Sequence, residues 1–330
     1  MAKQRLLYLA GAFLLCISSW RSSRSKSHSV FVRRVPCGRC RPTRKRLTFH
    51  VKRPSTGEAE IGGDDSFDVA KNLLKSSKSI SIFSGAGISV ASGIPDFRSA
   101  GGLWTRFDPL VCADYERFLD DQRPFWEMCI AVDGILKCCR PNGAHRALAH
   151  LEHKLGKHVT IITQNIDGLH KDAGSTHVYE LHGSFKGAFC ISCRQRGDDT
   201  KFSLERIRKM LYCNDVQGGT TSRERESFNM PVCTKCGSRR VKMNTILFGE
   251  SLPDGLFEQA TASVQKADLL LVIGSSLEVS PANMIPRLAK TAGTKLVFFN
   301  KESTEMDWLA DACIRGAVEE QLPRLLADLM

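Results

Sequence analysis

From about Phe67 the chain alternates between apolar residues spaced three to four apart and short runs that are apolar at nearly every position. "SFDVAKNLLKSS" has the first pattern and predicts a helix, with Ser66 or a neighbouring Asp as its N-cap. "SISIF", "VTIIT" (159–163), "LLLVIG" (269–274) and "KLVFF" (295–299) have the second, which suits strands covered on both faces. Between them "AHRALAHLEHKLG", "GLFEQATASVQKA" and "PANMIPRLAKTA" predict helices, the last with Pro281 in its first turn. This alternation predicts an α/β fold built on an open, doubly wound parallel sheet, with the ligand at the carboxyl ends of the strands.

Two stretches interrupt the pattern. Residues 100–142 are aromatic- and Cys-rich helical material, and residues 186–243 are polar, punctuated by cysteine and centred on one helix, "SLERIRKML". The expected division is a leader without a fold of its own over 1–66, a sheet domain over 67–185 and 244–330, and a small domain over 186–243. The helical insert, about 100–142, falls within the first part of the sheet domain.

At 330 residues and 42% apolar content the chain can bury a large core. Its net charge of +12 suggests a polyanion partner until it is located: residues 1–57 hold fourteen Lys or Arg and no acid, so residues 58–330 carry −2. Direct nucleic-acid binding by the folded part is therefore not expected. "MAKQR", the apolar run "LLYLAGAFLLCISSW" and the Ser/Arg-rich tract after it read as a targeting leader, for a mitochondrion or a plastid. A membrane anchor through residues 6–20 is the alternative, but a span needs about 20 apolar residues and no stable one is expected.

Of thirteen cysteines, four form the pairs "CISC" (190–193) and "CTKC" (233–236). Each such turn aims two sulfurs at one point, so Cys190, Cys193, Cys233 and Cys236 suit a closed, structural tetrahedral zinc site. Redox thiols or disulfides are the competing reading. A third pair, "CGRC" (37–40), has no partner pair, and the remaining cysteines read as small buried apolar residues.

The first strand runs into "SGAGISVASGIPDFRSAGGLW", whose glycines miss the dinucleotide spacing: Gly85 and Gly87 are followed by Val90 where a third glycine belongs. The turn can still bring main-chain N–H groups to a pyrophosphate. Beyond it Gly93, Pro95, Gly101 and Gly102 predict a long mobile lid carrying Asp96, Phe97 and Arg98. "TQNIDGLH" delivers Gln164, Asn165 and Asp167 at a second strand end, and "YELHGSF" places His182 before a glycine, where an imidazole suits general-base work.

These motifs, together with "PNGAH" (141–145), "FGESLP" (248–253) and "GSSLEVSPA" (274–282), stand in the order seen in sirtuins, the NAD-dependent protein-lysine deacylases. The chain resembles that family over roughly residues 67–330. The resemblance implies a Rossmann-like NAD-binding sheet, one structural zinc in the small domain, and acyl-lysine peptides as partners of an enzyme expected to be monomeric. It implies NAD contacts at Gly85, Ala86, Gly87, Asp96, Phe97, Arg98, Trp104, Gln164, Asn165, Asp167, Gly274, Ser275, Ser276 and Asn300, with the last adenine contact near Cys313 or Val318. Catalysis would rest on His182 and Asn165. The acyl oxygen would displace nicotinamide, His182 would act as base on the ribose hydroxyls, and water would release lysine and O-acyl-ADP-ribose.

The peptide would add as a strand between "ILFGE" and "SSLEVS". Members that remove succinyl or malonyl groups carry a Tyr and an Arg in the insert; here Cys129 and Val132 stand there, which favours neutral acyl groups. Met243 and Asn244 replace a proline and an acid common before the "FGE" strand. Mono-ADP-ribosyl transfer from the same pocket is the leading alternative. A catalytically silent NAD-binding scaffold and an ordinary dehydrogenase fit less well.

Overall fold

A computed structural model describes residues 64–154, 157–197, 204, 207–208 and 231–327. The expected leader, apart from its last residues, and most of "SLERIRKML" lie outside them. Helix α1 (Asp64–Ser76) starts inside the expected leader, with Ser66 buried in its first turn rather than capping it. It leads into β1 (Ser79–Ser84), a tight 3-10 turn over Ala86–Ser92 and a second over Leu103–Thr105. The insert then forms α2 (Pro109–Cys112), α3 (Tyr115–Asp120) and α4 (Arg123–Leu136). Asp108 and Asp114 cap the first two through hydrogen bonds from Leu110 and Arg117 main-chain N–H groups.

After α5 (Gly143–Lys154) come β2 (His158–Thr163), the single turn α6 (Leu169–Asp172) and β3 (Val178–Glu180). The small module holds β4 (Gly183–Cys190), β5 (Arg196–Gly197) and β6 (Val241–Thr245) as an antiparallel sheet ordered β5-β4-β6. The chain returns through α7 (Leu256–Lys266), β7 (Leu269–Ile273), α8 (Ile285–Thr291), β8 (Lys295–Asn300), β9 (Ala312–Arg315) and α9 (Val318–Ala327). A 3-10 turn over Ala282–Met284 precedes α8, so Pro281 caps that turn and Pro286 is the proline in the helix's first turn.

The main sheet is parallel throughout and ordered β3-β2-β1-β7-β8-β9. Its order reverses between β1 and β7, the switch point at which such sheets bind ligands. Successive residues alternate between two apolar layers. Ile80, Ile82, Leu269, Leu271 and Ile273 pack with Leu74, Leu148 and Leu322 on one face. Phe83, Leu270 and Val272 pack with Ala260, Val264 and Ile285 on the other. Burying each such Leu, Ile or Phe contributes about 1.5–3 kcal/mol, which explains why β7 is apolar throughout and β1 at Ile80, Ile82 and Phe83. The insert has its own apolar cluster, in which Phe118, Phe125 and Trp126 meet Met243 of β6 and Leu247 just after it. Ile207, from the inter-knuckle helix, joins it. Among the described residues no helix is long and apolar enough to cross a membrane.

Candidate active site

The glycines of the first loop are there for backbone contact. Gly85 N–H donates to Ile273 O at 3.0 Å and Gly87 N–H to Gly274 O at 2.8 Å, so the turns after β1 and β7 lie directly on each other. A Cβ on Gly85 would meet Gly274 O at 2.7 Å, and one on Gly87 would meet Gly274 Cα at 2.7 Å. Gly274 itself sits at φ +59, with Ile88 N only 2.4 Å from where its Cβ would be. No third glycine is needed, because the loop runs into a 3-10 turn, Ala86–Ser92, closed by Gly93 at φ +89, and not into a long helix that must pack close on the strand.

Around this double turn the polar residues interlock. Asn165 Nδ2 donates to Gly85 O at 3.0 Å and to Ser89 Oγ at 3.2 Å. Ser89 Oγ donates to Asp167 Oδ2 at 2.7 Å, and Asp167 Oδ1 accepts from Leu169 N–H. Burial raises the Asp167 carboxyl above its ordinary range, although the Leu169 N–H and Ser89 hydroxyl oppose this. Gln164 Nε2 donates to Ser275 Oγ at 2.8 Å, and Ser275 and Asn300 exchange two bonds, at 3.0 and 3.1 Å. Ser89 escaped the sequence reading as a site residue; its signal was its place four residues after Gly85 on a turn of helical pitch.

His182 stands at the same edge. Its Nδ1 lies 3.1 Å from Gln164 O, an atom that can only accept, so the proton is on Nδ1 and Nε2 is left as the acceptor. Its own carbonyl accepts from Ile246 N–H at 2.9 Å. The following Gly183, at φ +76, allows Asn244 O to approach so closely that a Cβ would fall 2.1 Å from it. Burial lowers the imidazole pKa below its ordinary value, so the ring is neutral and basic at pH 7.

The lid is a closed loop. Asp96 Oδ1 accepts from Arg98 N–H, Ser99 N–H and Ser99 Oγ, which makes Asp96 the knot of an Asx turn. Asp96 O and Phe97 O accept from Leu103 and Trp104 N–H groups, and Gly102 packs against the 96–98 backbone. Phe97 stacks on Trp104 with centroids 5.1 Å apart, and Trp104 lies 6.2 Å from Phe248, giving a row of three rings. Arg98 reaches toward Ser276 Oγ at 3.4 Å.

Two expected features take these places in the fold. Cys313 is mid-strand, paired with Phe298 and packed against that side's apolar layer, whereas Val318 begins α9 beyond the carboxyl end of β9. "ILFGE" is a turn rather than a strand: Glu250 N–H donates to Leu247 O at 3.0 Å and Gly249 has φ +83, a type II turn. Phe248 forms a single bridge to Asp114, and its N–H and C=O are both taken by Ala113 O and Tyr115 N–H.

Behind the loop lies a buried polar network. Asn142 Nδ2 donates to Ile88 O at 2.7 Å, and Asn142 Oδ1 lies 3.1 Å from His145 Nδ1. The His145 ring meets that of His170 edge-on at 4.9 Å, and His170 Nε2 is 2.8 Å from Ser84 Oγ. Burial lowers His145 to about 4 and His170 to about 3, so both are neutral.

The two Cys turns converge as expected. All four sulfurs lie within 4.8 Å of one another, with Cys190–Cys236 at 3.7 Å and Cys193–Cys233 at 3.6 Å. Ligands about 2.3 Å from one zinc ion would be about 3.8 Å apart in a tetrahedron, so the donor set fits; a disulfide would need about 2 Å. The knuckles are alike: Arg194 and Gly237 follow them at φ +57 and +71, with N–H bonds back to Cys190 O and Cys233 O. Main-chain N–H groups of Cys236 and Lys235 help lower the Cys233 thiol to about 6, whereas the surrounding sulfurs push Cys236 up to about 12, so the four share protons that a metal would displace.

The profile of the Sir2 family matches residues 85–281. The chain belongs to the Sir2 family. It is 38% identical over 269 residues to "NAD-dependent protein deacylase 2" of Archaeoglobus fulgidus, covering 81% of this chain and 97% of that one. It is 39% identical over 262 residues to the "NAD-dependent protein deacetylase" of Saccharolobus solfataricus, covering 79% and 96%. Among solved Sir2 structures, one with a p53 peptide and NAD+ superposes with TM-score 0.64 at 34% identity, covering 78% of this chain and 95% of that one. Another, bound to a myristoylated histone peptide, gives TM-score 0.61 at 32% identity, covering 81% and 97%. The Sir2 assignment and the parallel sheet with its four-cysteine module agree with each other.

Proposed function

We propose that this Sir2 chain is an NAD-dependent protein-lysine deacylase in which His182 Nε2 is the general base. The observation that carries it is His182 Nε2, a neutral, oriented acceptor at the strand edge that also holds Asn165, Asp167 and the Gly85–Gly87 turn. NAD is a substrate here. The Gly85–Gly87 turn lines the pyrophosphate site with Ala86 N–H as its donor, those of Gly85 and Gly87 being bonded to Ile273 O and Gly274 O, while Asn165 and Asp167 position the nicotinamide ribose for attack by the acyl oxygen. Nicotinamide leaves as the acyl oxygen bonds to the ribose carbon, with Phe97 and Trp104 screening the cationic sugar from water; His182 Nε2 then takes the proton of a ribose hydroxyl that attacks the imidate, and water releases the lysine amine and O-acyl-ADP-ribose. Zinc, held by the four cysteines, supplies structure alone. Val318 rather than Cys313 is assigned the adenine contact.

The acyl group is proposed to be neutral. Cys129 is buried in the insert's apolar cluster with Val132 partly buried beside it. The cation nearby, Lys242, is paired with Glu250 at 3.2 Å. The main-chain groups of Gly249, which have no partner among the described residues, are left to bond the substrate peptide. Organelle targeting through residues 1–66 remains part of this proposal, tested by following a fluorescent fusion of that segment. The chemistry is tested by His182→Tyr: loss of turnover with an unchanged melting temperature supports it, and full activity overturns it.

A further inference from the structure

We propose that Lys242 is a positioning residue for the acyl-lysine substrate, holding the Leu247–Glu250 turn, and through it Phe248, in register with the lid. This rests on the deacylase reading above. Lys242 is 2% exposed, an unusual place for an ammonium, and lies on β6 opposite Phe189 of β4. Its Nζ is 3.2 Å from Glu250 Oε2, donates to Thr245 O and lies 5.8 Å from the Phe189 ring. Glu250 Oε2 also accepts from Leu247 N–H at 3.0 Å. One carboxylate oxygen therefore joins the strand cation to the start of the turn, and the Glu250 N–H to Leu247 O bond closes it.

Phe248, the second residue of that turn, is where the two halves of the cleft meet. Its main chain bonds to Ala113 and Tyr115 of the insert, and its ring faces Trp104, which stacks on Phe97 of the lid. The line Lys242, Glu250, Phe248, Trp104, Phe97 thus runs from the small module to the reaction lid. A buried ion pair adds little net stability compared with apolar residues of the same size. Its use here is geometric: two directional partners fix a turn that apolar packing alone would leave free to slide. No residue in this line except Phe97 and Trp104 belongs to the NAD pocket, so loosening its far end should weaken peptide binding and spare NAD.

The experiment uses the full-length, zinc-loaded protein with a fluorescein-labelled acetyl-lysine peptide read by anisotropy, alongside the KM for NAD. Lys242→Met is expected to weaken peptide binding at least tenfold and to change the NAD KM less than twofold, while Lys242→Arg, which can still pair with Glu250, stays within threefold of the wild type. The double variant Lys242→Met/Glu250→Gln removes the stranded charge; it is expected to regain melting temperature without regaining peptide affinity. Equal losses for NAD and peptide, unchanged peptide binding in Lys242→Met, or recovery of affinity in the double variant would each overturn the proposal. Wild-type protein that binds the peptide without turning it over would instead sink the deacylase reading and leave the Lys242 comparison intact.

Discussion

Gly85 and Gly274, 189 positions apart in the chain, are packed backbone against backbone, with room for no side chain between them. Replacing Gly85 with Ala would put a methyl group 2.7 Å from Gly274 O and 2.9 Å from Ser275 Cα and Cβ, none of which is the far end of a flexible side chain. The two turns must part, and the bonds from Gly85 and Gly87 stretch. Gly85→Ala is expected to raise the KM for NAD at least tenfold and to lower the melting temperature by several degrees, as about 1–3 kcal/mol of overpacking implies. Wild-type NAD binding by this variant, measured calorimetrically, would mean that the loops do not form the phosphate site.

The state of His182 predicts a pH profile. Only the neutral ring can accept a proton, and burial holds its pKa below the ordinary value of 6.5. Protonation on acidification therefore removes the base, and activity falls only once the pH drops through that lowered pKa. The acid limb of kcat/KM should therefore be centred below pH 6.5. A limb centred above pH 7 would show that another group sets the rate or that His182 is not oriented as found.

The cysteine cluster makes a separate prediction about stability. Removing zinc would leave four sulfurs, each within 4.8 Å of the others, without the cation that holds them. Prolonged chelation, or Cys190→Ser, should release one equivalent of zinc, lower the melting temperature and abolish activity. The loss would be indirect, since no sulfur is assigned a chemical step. Retained activity in a zinc-free protein would remove the metal from the account.

The strands of the main sheet were legible because both their faces are buried, so β1, β2, β7 and β8 appear as runs of apolar, β-branched or small residues within a residue of their observed ends. The Cys pairs were legible because one short turn specifies each half of the site. What escaped depends on contacts between distant segments. Nothing near Asn142 announces that it grips Ile88 O, nor near His145 that it meets His170. Lys242 reads as an exposed strand residue until Glu250 is placed beside it. Asp96 was expected as an NAD contact, and nothing in its neighbours announced that its Oδ1 also ties the lid to itself. The edge strand expected at "ILFGE" became a turn because Gly249 takes a positive φ. The choice between Cys313 and Val318 stayed open in the sequence because only the strand's end separates them: Cys313 sits two residues short of it and Val318 three beyond.

The central claim, acyl transfer from lysine to ADP-ribose, is tested most directly by mass spectrometry of the protein incubated with NAD and an acetyl-lysine peptide. The account predicts one deacetylated peptide, one nicotinamide and one O-acetyl-ADP-ribose per turnover, with the enzyme's own mass unchanged. ADP-ribose found on protein, with the acetyl group still on the peptide, would contradict it.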